Sequence, residues 1–151
     1  MSMGGCFVSV GGYRLRKIVI DPTDLHAYFE TPADSGGPTG RQTVEQAWHV
    51  VQTLLPETVN GDMLEGADLG EMCIYLTPSR VADAHAQLLK RDASALVRHF
   101  VDEQDRYQDL YWANVWVEDE ATEWLEQMIR DLMQFFAAAA SRRDAVIFYV
   151  G

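Results

Sequence analysis

The order of hydrophobic patterns along the chain constrains its fold more than any other feature. Short apolar segments typical of strands lie near both ends, at residues 6–10 and 145–150, and another lies at residues 72–76. The longer stretches between them carry apolar residues three and four positions apart, which is the period of an amphipathic helix. This order predicts an α+β fold in which a small sheet of about three to four strands, including both terminal segments, is covered by about five to six helices. We expect one domain over residues 1–151.

Capping signals place several of the helices. Thr77 followed by Pro78 predicts one helix start, and Asp92 predicts another. The longest helix is expected to begin in the acidic run at Glu118 and to extend to about Arg143. Its apolar stripe is expected to contain Trp124, Leu125, Met128, Ile129, Leu132, Phe135 and Phe136.

Three further segments precede the strand at residues 72–76. Residues 13–20 fit a helical stripe and also a strand, and the sequence leaves both open. Residues 31–41 hold three glycines and two prolines, which predicts a loop. Thr43 with Gln46 matches a capping box, so we expect a helix from there to Pro56.

The charge balance argues against whole classes of partner. Twelve Lys and Arg against 23 Asp and Glu give a net charge of 12 − 23 = −11. Such a chain repels the phosphates of nucleic acids and the anionic surfaces of membranes. No apolar run approaches the length of about 20 residues that a membrane helix needs. We therefore expect a cytoplasmic protein that binds neither nucleic acid nor membrane.

The residues that usually hold metals or carry out nucleophilic chemistry form no recognisable motif. Cys6 and Cys73 are expected to be small buried residues in strands, although a strand pair that brought them close would also permit a disulfide. The four histidines form neither HxH nor HExxH, so no metal site is expected. We expect no cofactor, and the sequence identifies no catalytic residues.

Acidic residues are concentrated in residues 101–131, which hold ten acids against Arg106 and Arg130 alone. Acids in the first turn of the long helix are explained by the helix dipole. The others form either a solvated face or a docking surface for a basic protein partner, since complementary charge speeds association and selects partners.

Aromatic residues indicate a second candidate site. His49 follows Trp48 on a predicted helix, and Tyr111 and Trp116 lie in a segment that mixes aromatic and acidic residues. A histidine beside a buried tryptophan serves as an acid or base in some pockets. The simpler interpretation is a residue at the edge of the core with one hydrogen bond.

The whole pattern resembles the YfbM-like family of small bacterial proteins, a domain of unknown function. The resemblance is carried by the first strand and by the segments Ala47-Trp48-His49, Tyr75-Leu76-Thr77-Pro78 and Ala145-Val146-Ile147, with Tyr111, Trp116 and the long acid-started helix. This chain departs from the family at Gln52, where a second histidine is usual, and at Pro56-Glu57, where a Thr-Gly turn is usual. The resemblance implies a compact α+β fold in the bacterial cytoplasm, favours a helix over residues 13–20, and implies no established activity.

Two functional hypotheses follow. The first is a non-enzymatic binding module that recognises a basic protein partner through the acidic, aromatic C-terminal half. The alternative is a small enzyme or ligand-binding protein with a pocket near Trp48 and His49. Its candidate ligand-binding residues are Trp48, His49, Gln52, Tyr111 and Trp116.

Overall fold

The computed structural model describes residues 3–70 and 72–151. Within them, five strands form one antiparallel sheet in the order β2-β1-β5-β4-β3. The two terminal segments, β1 and β5, are strands of the sheet as the sequence predicts, and they pair with each other at its centre. The strands are β1 (Gly5–Gly11), β2 (Gly40–Glu45), β3 (Asp62–Met63), β4 (Met72–Leu76) and β5 (Asp144–Val150).

Seven α-helices accompany the sheet in the described part of the chain. The longest, α7, follows an acidic start as expected. The helices are α1 (Gly12–Ile20), α2 (Leu25–Phe29), α3 (Trp48–Leu54), α4 (Pro78–Leu88), α5 (Ala93–Asp102), α6 (Gln104–Tyr107) and α7 (Asp119–Ser141). Short 3₁₀ turns lie at Ala33–Ser35, Pro56–Val59 and Ala113–Val115.

The sheet separates two hydrophobic cores. Side chains alternate between its faces, so Phe7 and Phe148 enter a large core under α3, α4, α5 and α7, whereas Val8 and Ile147 enter a smaller core under α1 and α2. The α+β fold class is therefore confirmed. The sequence underestimated the numbers of strands and helices.

The main correction concerns residues 40–47. The capping-box interpretation is wrong, because residues 40–45 pair with β1 as an edge strand and α3 begins only at Trp48. The Thr43 hydroxyl donates to the Gly5 carbonyl across the strand pair at 3.3 Å and does not cap a helix. Residues 13–20, which the sequence left open, lie in α1.

The two cysteines lie on opposite sides of Tyr149. Cys6 on β1 and Cys73 on β4 are both directly opposite Tyr149 on the central strand β5. The Cα atoms of Cys6 and Cys73 are therefore two strand spacings apart, which is about 9.5 Å. A disulfide tolerates a distance of roughly 7 Å between Cα atoms. Both thiols are free, so the disulfide alternative fails because Tyr149 lies between them.

The described residues were compared with the requirements of a membrane-spanning helix and of a metal site. Their helices fall short of what a bilayer crossing requires in length and apolar character. No three of their His, Cys, Asp or Glu side chains converge as the ligands of a metal ion would.

Candidate functional site

Three of the predicted site residues form one packed cluster between α3 and the segment before α7. The Trp48 and His49 rings stack at 5.0 Å between centroids, and Tyr111 lies 5.6 Å from Trp48. The Tyr111 backbone N–H donates to His49 Nδ1 at 2.9 Å. The Tyr111 hydroxyl in turn accepts from the Met3 backbone N–H at 2.8 Å.

The hydrogen bond from Tyr111 determines which tautomer the neutral His49 ring adopts. Because Nδ1 accepts from a backbone amide, the neutral ring carries its proton on Nε2. Protonation of Nδ1 would break the bond to Tyr111. The ring therefore attaches an irregular segment to α3, and Trp112 within that segment adopts a left-handed backbone conformation with φ of 56°.

The other two predicted residues lie outside this cluster. Gln52, one turn after His49 on α3, is half-buried and makes no side-chain hydrogen bond within the described residues. Trp116 lines a different feature, an open groove of about 760 Å³ between the edge strand β2 and α7. The structure thus brings the rings of Trp48, His49 and Tyr111 into contact, whereas Trp116 packs against the same hydrophobic core and lines the groove.

The groove is built from one edge of the sheet and one side of a helix. Residues four positions apart on α7 lie on the same side of the helix, which is how Glu123, Gln127 and Asp131 come to line it together. The full lining is Gln42, Thr43, Glu45, Gln46, Trp116, Glu123, Trp124, Gln127, Met128 and Asp131.

Three carboxylates give the groove its negative character. Glu45, Glu123 and Asp131 take part in no ion pair within residues 3–70 and 72–151. Asp131 accepts one hydrogen bond, at 2.9 Å, from the Gln127 side-chain amide. Negative charges without a counter-ion beside an aromatic surface favour a cationic ligand, which both the carboxylates and the ring faces attract.

Two tryptophans supply the aromatic surface of the groove. Trp124 is 72% exposed, an unusual condition for the largest apolar side chain. Its assignment to the buried stripe of the long helix is therefore wrong. The Trp116 indole N–H is buried and finds no acceptor in the described part of the chain.

One end of the groove is marked by backbone strain. Glu45 has φ of 47°, next to an irregularity in the pairing of β1 with β2. Its neighbour across the sheet is Gly5, where an added Cβ would lie 2.5 Å from the Cβ of Trp48. The close approach of Trp48 beneath β1 thus requires glycine at that position.

The ten acids of residues 101–131 differ in their surroundings. Eight are exposed, whereas Glu126 and Asp131 are half-buried. Glu126 accepts from the Ser94 hydroxyl at 2.6 Å and pairs with Arg130, and the Ser94 hydrogen bond is the main reason that its pKa is lowered. The exposed members are Asp102, Glu103, Asp105, Asp109, Glu118, Asp119, Glu120 and Glu123.

Sequence reasoning missed most of the groove. The capping-box pattern places Glu45 in a helix and the sequence assigns Gln42 no role, while the acidic and apolar groove residues of α7 stand out only as members of a charge cluster or an apolar stripe. The available signal was the spacing of Glu123, Gln127 and Asp131 beside Trp124 and Met128. This spacing predicts a polar row next to an apolar one on a single helix side.

Comparison with known proteins places this fold in a family. A family model described as a domain of unknown function, DUF1877, matches residues 1–149. The chain belongs to the DUF1877 family. Membership of DUF1877 confirms the resemblance inferred from the sequence, and it brings no activity with it.

A solved structure supports the fold assignment of this DUF1877 domain. The crystal structure of YfbM from Escherichia coli, a protein of unknown function, superimposes with a TM-score of 0.70 over 98% of this chain and 99% of that one. The two sequences are 11% identical, so the likeness extends to the fold alone. No curated protein matches the chain.

Proposed function

We propose that this protein is a non-enzymatic binding module, and that a basic protein partner docks in the groove between β2 and α7. The observation that carries the proposal is the set of three carboxylates without counter-ions, Glu45, Glu123 and Asp131, around the exposed ring of Trp124. A lysine or arginine side chain can contact the carboxylates and the indole ring at the same time. Its charged end pairs with a carboxylate, while its charge or its aliphatic part lies over the indole.

Charge outside the groove favours the same class of partner. Exposed acids at the start of α7, including Glu118, Asp119 and Glu120, lie on the helix that supplies half of the groove. With a net charge of −11, the protein attracts cationic partners over distances that salt shortens.

A direct test uses a defined cationic probe. Oligolysine is titrated into the full-length protein while tryptophan fluorescence is followed, at about 50 mM and about 500 mM salt. We expect binding that weakens with salt and that weakens further in a Glu123→Gln/Asp131→Asn double variant.

The matched control is Asp83→Asn/Glu65→Gln, which removes the same charge from exposed positions outside the groove lining. It should bind oligolysine as the unmodified protein does. Equal weakening in both double variants would mean that net charge alone attracts the probe. No binding at low salt would remove the proposal.

A ligand-binding role for the same groove is the second candidate. Trp116, predicted as a pocket residue, lines a concave space of about 760 Å³, within the size range of small-molecule sites. A thermal-shift screen of cationic metabolites tests it, since a ligand of the folded state raises the melting temperature. An enzymatic role for His49 has less support, because its Nδ1 already accepts a hydrogen bond from the Tyr111 backbone amide.

A further inference from the structure

The groove follows a free strand edge. β2 is the outermost strand of the sheet and, within the described residues, pairs with β1 alone. An unpaired edge exposes backbone N–H and C=O groups to which another chain can hydrogen-bond. Proteins often protect such edges with Lys or Pro, and residues 40–45 contain neither.

The one cationic side chain of β2 does not protect this edge. The Arg41 guanidinium donates to the Phe29 carbonyl at the end of α2, on the face of the sheet opposite α7. At the far end, Glu45 with its positive φ terminates the regular strand. A short edge without a partner strand therefore remains between these two residues. Its Thr43 carbonyl accepts from the Gln42 side-chain amide at 3.1 Å, a hydrogen bond that an added strand would replace.

The helix α7 runs alongside this edge in the opposite direction. Near the start of β2, a Cβ built on Gly40 would lie 3.6 Å from Cε2 of Phe135. Towards its end, Gln42 and Glu45 share the groove with residues 123–131. The groove is thus bounded by a strand edge on one side and by an antiparallel helix on the other.

The spacing of the helix carboxylates matches an extended chain. Glu123 and Asp131 are eight residues apart on α7, which corresponds to about 12 Å along the helix axis. In an extended strand, residues four positions apart point to the same face and are separated by about 13 Å. Between the carboxylates, Trp124 and Met128 offer an apolar surface.

We infer that the partner segment binds as an extra strand on the free edge of β2. Basic side chains four residues apart reach Glu123 and Asp131, and an apolar side chain midway between them packs on Trp124 and Met128. This inference rests on the proposed function and adds the conformation and spacing of the bound segment. Backbone hydrogen bonds to β2 supply affinity, and alternate side chains supply specificity.

The test compares peptides of one composition. Thr-Lys-Thr-Leu-Thr-Lys-Thr carries lysines four residues apart on one face of a strand, whereas Thr-Lys-Leu-Thr-Lys-Thr-Thr places them on opposite faces. Binding to the full-length protein is followed by NMR shifts of the amides of residues 40–45. We expect the second peptide to bind up to about fivefold more weakly, which is the upper end of the loss expected for one exposed ion pair.

Backbone pairing is tested by N-methylation of alternate amides in the first peptide. Only alternate amides of an added strand face β2, so methylation of one set should abolish binding, while methylation of the other set should change it by less than about twofold. A Gln42→Lys variant, which adds a cation at the edge, should also lose binding. Gln87→Lys on the exposed side of α4 is its matched control and should bind normally.

The outcomes separate this inference from the proposed function. If both peptides bind equally and methylation has no effect, while Glu123→Gln/Asp131→Asn still weakens binding, strand addition is overturned and the basic-partner proposal stands. If no basic peptide or oligolysine binds, both fail. If light scattering shows a dimer that Gln42→Lys dissociates, the occupant of the edge is a second copy of this chain, and the inferred partner is wrong.

Discussion

The Glu57 carboxylate receives two hydrogen bonds from the Arg91 guanidinium, from Nε at 3.2 Å and from Nη2 at 2.8 Å. The pair joins the 3₁₀ turn at Pro56–Val59 to the chain just after α4. The Glu57 side chain is only 3% exposed, whereas that of Arg91 is 36% exposed. The two residues are thus unequal, because only Arg91 can reach water when its partner is removed.

This inequality predicts different costs for the two single substitutions. Arg91→Met leaves a buried carboxylate without a partner and should lower the free energy of unfolding by about 3 kcal/mol. Glu57→Gln leaves a guanidinium that solvent can reach and should cost about 1 kcal/mol. Urea denaturation of both variants measures the difference. Equal costs, or a larger cost for Glu57→Gln, would contradict the assigned burial.

Gly5 should tolerate no side chain. A Cβ at this position would lie 2.5 Å from the Cβ of Trp48, so Gly5→Ala forces the strand and α3 apart. We expect a loss of about 1–3 kcal/mol in the free energy of unfolding. Gly11→Ala is the matched control, because a Cβ there meets nothing within 4 Å and its φ of −60° suits alanine. That control should be neutral or slightly stabilising, and similar losses in the two variants would contradict the prediction.

His49 should act through its hydrogen bond to the backbone of Tyr111. His49→Phe keeps an aromatic ring that can stack on Trp48 and removes the acceptor Nδ1. The unsatisfied amide should cost about 1 kcal/mol of stability. Hydrogen exchange at the Tyr111 amide should become faster. His26→Phe on the exposed side of α2 is the control and should leave that rate unchanged. Unaltered exchange in His49→Phe would show that the bond does not hold the segment.

Alkaline pH should destabilise the protein through the strand pairs around Tyr149. Burial raises the pKa of the Cys73 thiol from 9.0 to about 12, and burial likewise raises the pKa of Tyr149 from 10.0 to about 12. The unfolded chain therefore loses these protons first. Stability is fully present below about pH 9 and is lost as the pH rises towards about 12.

The measurement is the urea midpoint between about pH 8 and about pH 11. Cys73→Val keeps a small apolar side chain and has no ionisable group, so its midpoint should fall less steeply with pH. The remaining slope belongs to Tyr149 and to the other groups that titrate in this range. An identical slope in the variant would show that the thiol does not contribute.

Much of the fold follows from local chemistry. The helix caps predicted at Thr77 and Asp92 are present, since the Thr77 hydroxyl accepts from the Arg80 amide and the Asp92 carboxylate accepts from the Ala95 amide. The strands at both ends of the chain follow from two short apolar segments. These features depend on neighbouring residues or on hydrophobicity alone, so a sequence reveals them.

The groove depended on contacts between distant parts of the chain. Thr43 and Gln46 have the local pattern of a helix start, yet pairing with β1 makes residues 40–45 a strand. Trp124 fits the apolar period of α7, yet it is exposed beside the groove. Local propensity is worth less than the free energy gained when a strand edge is paired or a core is filled, so in these cases the tertiary partner decides.

The sequence alone therefore determined the fold class, the strands at both ends of the chain, the start of the long helix and the strong negative charge. Each of these follows from hydrophobic period, capping chemistry or composition. Only the tertiary structure decided that β2 is an edge strand and that Tyr149 lies between the two cysteines. It also brought Glu45 to the same groove as Glu123 and Asp131. The physical reason is that strand pairing joins residues far apart in sequence, and a local sequence pattern does not specify which strands will pair with each other.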